Sequence, residues 1–175
     1  MSIKKIMFGG GCFWCTEAIF SMIKGVISVL PGYSGGETDN PTYEEVCNGN
    51  TNHAEVIQIE YDENKIDLQI LLDIFFEMHD PTSLNKQGAD YGTQYRSAIF
   101  YYDETQKNII YSSIEKLQKE IDKKIVTEVS RAKEFYPAED YHRGYYKNNS
   151  DQPYCNVVIT PKLQKIRKEF KKELK

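Results

Sequence analysis

Apolar positions along this chain fall into short blocks whose spacing switches between a period near two and a period near 3.6. Residues 3–8 read as a brief strand. After three glycines, Phe13, Ile19, Phe20 and Ile23 fall near helical spacing, with Gly25 placed to end the helix. Residues 26–30 form a second strand candidate, followed by a turn-rich loop from Pro31 to Pro41 and one helical turn over 43–47. β-Branched residues in partial alternation predict a strand over 55–61. Residues 68–78 predict an apolar helix with Leu71, Leu72, Phe75 and Phe76 inward.

A polar loop over 80–94 follows, long for a small domain unless it has a task. A strand over 96–102, a helix over 104–121 and a strand over 125–129 come next. The last third is polar and Tyr-rich over 135–152, then predicts a short apolar strand over 155–159. Leu163, Ile166, Phe170 and Leu174 place one apolar stripe on a terminal helix. Strands interleaved with helices imply an α/β (α+β) fold around one mixed sheet, with a coil-rich C-terminal segment over about 145–175.

The 175 residues suit one domain, and 40% hydrophobic with 27% charged residues excludes a disordered or fibrous chain. Lys plus Arg number 22 against 26 Asp plus Glu, a net charge of −4. That balance supplies no general field for nucleic acid or an anionic membrane. The terminal stretch 162–175 holds seven Lys and Arg against two Glu, as expected of a solvated basic helix face. Lys4 and Lys5 precede an apolar stretch that stops at Gly9, too short for a secretory signal. No window has the roughly 18 apolar residues of a membrane span. The expected location is the cytoplasm, where free thiols persist.

Four cysteines, Cys12, Cys15, Cys47 and Cys155, are too few for a disulfide scaffold. Cys12 heads a helix after Gly9-Gly10-Gly11, where glycines allow close backbone approach to a bound molecule and the helix dipole favours a thiolate. Phe13 and Trp14 offer an apolar wall beside it. Cys12 and Cys15 have half a zinc-site spacing, but no second pair completes it, and His53, His79 and His142 are scattered singly. No metal is expected. From the residues alone, a reactive thiol, a general dithiol–disulfide oxidoreductase using Cys12 and Cys15, and a non-enzymatic peptide-binding pocket all remain open.

Five motifs narrow the choice. Gly10-Gly11-Cys12-Phe13-Trp14, Asn40-Pro41-Thr42-Tyr43-Glu44-Glu45-Val46-Cys47, His53-Ala54-Glu55, Asp90-Tyr91-Gly92-Thr93-Gln94-Tyr95-Arg96-Ser97 and Ala138-Glu139-Asp140-Tyr141-His142 resemble peptide methionine sulfoxide reductases of the A type. The resemblance runs from about residue 5 to Lys165. It implies a two-layer sandwich with a ferredoxin-like βαββαβ core and reduction of the S epimer of methionine sulfoxide, free or in proteins. Methionine sulfoxide is the lesion such enzymes reverse.

The same resemblance makes Cys12 the nucleophile and Glu55 the acid. Tyr43 and Tyr95 would grip the sulfoxide oxygen, and Asp90 would act through hydrogen bonds. Phe13 and Trp14 would hold the substrate methyl, and Cys47 would serve packing. The resulting sulfenic acid would be resolved by Cys155, which matches the family's C-terminal position, or by Cys15, which stands where the commonest pattern has Gly. Asn52 likewise replaces a usual Gly. The implied enzyme needs no cofactor: thioredoxin, or dithiothreitol in vitro, supplies electrons, and the chain acts as a monomer without nucleic acid or membrane.

Overall fold

Ile6 and Phe8 point to one face of the central strand and Met7 to the other, and this alternation organises the molecule. The computed structural model describes residues 2–175. In chain order the elements are β1 (Ile3–Gly9), α1 (Phe13–Phe20), β2 (Val26–Ser34), α2 (Tyr43–Cys47), β3 (Ala54–Asp62) and α3 (Leu68–Met78). Then come β4 (Lys86–Gln87), β5 (Asp90–Tyr91), β6 (Ala98–Tyr101), α4 (Glu104–Glu120), β7 (Glu128–Arg131), β8 (Tyr136–Pro137), α5 (Tyr145–Asn149) and α6 (Thr160–Glu169).

The main sheet runs β7-β6-β1-β3-β2-β8. Its four inner members, β6-β1-β3-β2, each run antiparallel to their neighbours, with α1 and α3 as crossovers. That is the βαββαβ arrangement, and β7 joins β6 in parallel to make the sheet mixed. One face carries the main core: Ile6, Phe8, Ile57 and Ile59 meet Ile19, Phe20, Leu72 and Phe75 of the helices. The other face has a small cluster, Met7, Ala54, Val56, Ala98 and Phe100. Phe8 is fully buried, stacked on Phe75 at 4.6 Å and tilted against Phe20 at 5.3 Å. Phe8→Ala is expected to cost about 3–5 kcal/mol of stability, read from the shift of a urea unfolding midpoint.

Two elements differ from the sequence expectation. Strand β2 continues through the turn-rich Pro31-Gly32-Tyr33-Ser34, because β3 pairs with it to Ser34 and only the two residues of β8 lie beyond. Near a sheet edge, the missing N–H of a proline is tolerated. Residues 155–159 are not a strand but a π-helical turn running straight into α6. A short β-branched run cannot be told from a helix by period alone. The buried residues Cys155, Ile159, Leu163 and Ile166 show the helical spacing once the flank is included. Pro161 cannot donate to the carbonyl four residues back, and a widened turn accommodates that loss. From Tyr145 onward the chain is therefore largely helical rather than coil-rich. Its end is tied down where Lys24 N–H donates to Glu173 O (2.7 Å) and Leu174 bridges Ile23.

Candidate active site

The strand β1 delivers the chain to Cys12 through Gly10 and Gly11. A Cβ on Gly10 would lie 3.1 Å from the rings of His79 and Phe75. Gly11 has φ +91° and faces Gln87. The protein packed behind the loop therefore leaves little room for a side chain at either position. Cys12 caps α1 and is half-buried, its carbonyl accepting from Cys15 N–H (3.1 Å) and the Thr16 hydroxyl (3.2 Å).

Register brings Glu55 to the same end of the sheet. Tyr33 of β2 pairs with Glu55 of β3, one residue into the strand. Glu55 is 1% exposed. Its Oε1 accepts the Phe13 N–H at 3.2 Å, while Oε2 has no partner among the described residues. Burial pushes its carboxyl up to about 8, against the opposing Phe13 N–H and with help from Asp90. At neutral pH the group carries its proton.

Cys12 behaves differently from the sequence expectation. Burial, reinforced by Glu55, pushes the Cys12 thiol well above its ordinary range, and the Trp14 N–H at the helix start only partly opposes this. One helix terminus does not outweigh desolvation of a thiolate, so Cys12 rests as a thiol. The Tyr154 hydroxyl lies at its sulfur and also donates to Asp90 Oδ2 at 2.6 Å. Asp90 sits on the small β4–β5 hairpin, and Tyr95 on the 3₁₀ turn Thr93–Tyr95 after it. The long polar loop is thus occupied in presenting two site residues.

Tyr43 opens α2, whose start is fixed by the reciprocal Thr42–Glu45 capping box and by Tyr43 N–H donating to Glu139 Oε2 (3.0 Å). Burial, then Glu55 and Cys47, hold both the Tyr43 and Tyr95 phenols protonated. Cys47 is exposed and hydrogen-bonded to the Tyr43 hydroxyl, so it is not a packing residue. Phe13 is fully buried among Tyr33, Tyr43 and His142. Trp14 stacks on Tyr145 at 3.7 Å and 11°, and its indole N–H donates to His142 Nδ1 at 2.9 Å.

Cys12, Glu55, Tyr43, Tyr95 and Asp90 therefore converge. Cys15 and Cys155 are buried, at 2% and 0% exposed. Cys15 has its thiol pushed up to about 11 by burial, and burial raises that of Cys155. Tyr33, Glu139, His142, Tyr145 and Tyr154 complete the site without having been singled out from the sequence. Among 13 tyrosines nothing local distinguishes Tyr33, Tyr145 or Tyr154. His142 and Glu139 lay in a recognised motif but carried no assigned role. Among the described residues no group of three His, Cys, Asp or Glu side chains is placed to hold a metal ion, and no helix is long and apolar enough to cross a membrane.

Comparison with known proteins places the chain in a family. The family model described as "Peptide methionine sulfoxide reductase" matches residues 4–174. The peptide methionine sulfoxide reductase MsrA of Acinetobacter baumannii (strain AYE) is 53% identical over 173 residues, 99% of each chain. Among solved structures, Saccharomyces cerevisiae Mxr1 in reduced form has TM-score 0.81 and 37% identity, covering 87% of this chain and 89% of that one. Mxr1 in complex with Trx2 has TM-score 0.57 and 27% identity, covering 82% and 84%. The chain belongs to the peptide methionine sulfoxide reductase family. It is an oxidoreductase that acts on methionine sulfoxide, of the A type.

Proposed function

We propose that the chain reduces the S epimer of methionine sulfoxide, free and in proteins, and so repairs oxidised methionine. The observation that carries the mechanism is a protonated, buried Glu55 with a free oxygen in the same site as Cys12. Cys12 sulfur attacks the sulfoxide sulfur while Glu55 and the Tyr43 and Tyr95 hydroxyls take up the charge growing on the oxygen. With Glu55 neutral, the charge that most opposes a Cys12 thiolate after burial itself is absent. Trp14, backed by the buried Phe13, receives the substrate methyl, and Asp90 orders the site through Tyr154. In net terms the oxygen passes to Cys12 as a sulfenic acid and methionine leaves.

The sulfenic acid then condenses with a second thiol, releasing water and forming a disulfide. Cys155 is the favoured partner because its neighbour Tyr154 already touches Cys12, so a rearrangement of the π-helical turn has a short way to carry it. Cys15, one turn along α1 and among the groups acting on Cys12, is the second candidate. Thioredoxin, or dithiothreitol in vitro, returns the enzyme to its dithiol form, a reading supported by the Mxr1–Trx2 complex. No cofactor or metal takes part. The enzyme works as a monomer in the reducing cytoplasm, where thiols persist between turnovers.

The test is mass mapping of the disulfide formed after one equivalent of sulfoxide. A Cys12–Cys155 bridge is expected. Cys155→Ser should retain one turnover and lose thioredoxin-coupled cycling, and continued cycling would transfer the resolving role to Cys15.

A further inference from the structure

Glu17 is an unusual occupant of the inward face of α1. It is 7% exposed and makes no salt bridge among the described residues. Both of its carboxylate oxygens accept the same backbone donor, the N–H of Gly144, at 2.9 and 3.0 Å. Burying a carboxylate carries a desolvation cost that an apolar residue would avoid. A position chosen for packing alone would not hold glutamate. Nor is packing tight there: a cavity of about 360 Å³ lies between α1, α5 and α6, lined by Glu17, Met22, Gly144, Tyr146, Leu163 and Arg167.

Gly144 is the residue from which α5 starts. Its φ of +64° belongs to the left-handed region, and no side chain caps the helix it begins. The next residue, Tyr145, is the one stacked on Trp14. Trp14 lies three residues before Glu17, on the same side of α1. One carboxylate thus grips the entry to α5 directly beside the indole that α5 covers.

We propose that Glu17 is a positioning residue which, by holding the Gly144 N–H, sets Tyr145 against Trp14 and so fixes the wall that receives the substrate methyl. This rests on the reading of Trp14 as part of that wall. Glu17 touches neither substrate nor reacting atoms. It acts through two neighbours, and the consequence is a binding effect rather than a chemical one.

Trp14 is the only tryptophan in the chain, so its emission reports the stack directly. Glu17→Leu, which keeps bulk and removes both acceptors, should shift that emission to the red and increase its quenching by acrylamide. It should raise KM for a methyl sulfoxide about tenfold and leave the saturated first-turnover rate within about twofold, as expected when one buried donor loses its acceptor. Glu17→Gln keeps an acceptor oxygen and should restore most of both readouts. The pair Glu17→Leu with Tyr145→Leu should cost no more than the worse single change, because both act through one wall.

Unchanged emission and KM in Glu17→Leu would overturn the proposal, as would full additivity in the pair. If Glu17→Leu does not fold, failure of Glu17→Gln, with an intact cooperative melt, to bind sulfoxide within about threefold of the parent would overturn it equally. Trp14→Leu separates the two levels. A raised KM there with a silent Glu17 removes only the positioning role, whereas an unchanged KM removes the wall itself.

Discussion

Glu55→Gln lowers the first-turnover rate of sulfoxide reduction by about 10²- to 10⁴-fold, the range general acid catalysis supplies, with a much smaller change in KM. The physical cause is the proton that burial keeps on Glu55 up to about pH 8. Glutamine preserves the shape and a hydrogen bond but cannot transfer a proton. In the parent enzyme the rate should fall as pH rises through about 8, where Glu55 ionises, and this alkaline limb should vanish in the variant. Stability carries the same signature. Between 4.5 and about 8 the folded protein holds a proton on this group that the unfolded chain has released. Because the native state binds more protons in that window, the contribution of Glu55 to stability is complete below 4.5 and is lost as pH rises towards 8. Glu55→Gln should flatten that part of the curve, seen in urea midpoints across the window. A rise in KM alone, with kcat and its pH profile intact, would refute the acid role.

Cys12→Ser abolishes turnover of methyl sulfoxides to below detection, even with dithiothreitol in excess. A serine hydroxyl is a far weaker nucleophile than sulfur, and it cannot hold the oxygen as a sulfenic acid. The parent thiol should also be slow to react without substrate. Burial keeps it protonated, so in a Cys15→Ser, Cys47→Ser, Cys155→Ser background its alkylation should show no inflection near neutral pH. Residual turnover in Cys12→Ser would end the nucleophile assignment, and a neutral inflection in alkylation would show that the helix start prevails over burial.

The two wrong structural expectations share a cause. Pro31 to Ser34 reads as a loop because proline and glycine end most strands, yet Tyr33 must pair with Glu55 for the site to form, and that pairing lies outside any local window. Residues 155–159 read as a strand because a five-residue, mostly apolar run has no measurable period. The thiol of Cys12 was misjudged for a similar reason. A helix start is a local feature, whereas burial is the sum of everything packed around it.

The amino-acid order made legible the Gly-Gly-Gly-Cys junction and the interleaving of strands with helices, which are properties of near neighbours set by backbone sterics and by the period of apolar side chains. The βαββαβ order and the roles of the motif residues came from the resemblance that the five motifs carry. Only the tertiary structure decided that Glu55 is a neutral acid and Cys12 a resting thiol. Ionisation answers to desolvation and to charges brought together from distant parts of the chain, which come into being when the sheet closes over them.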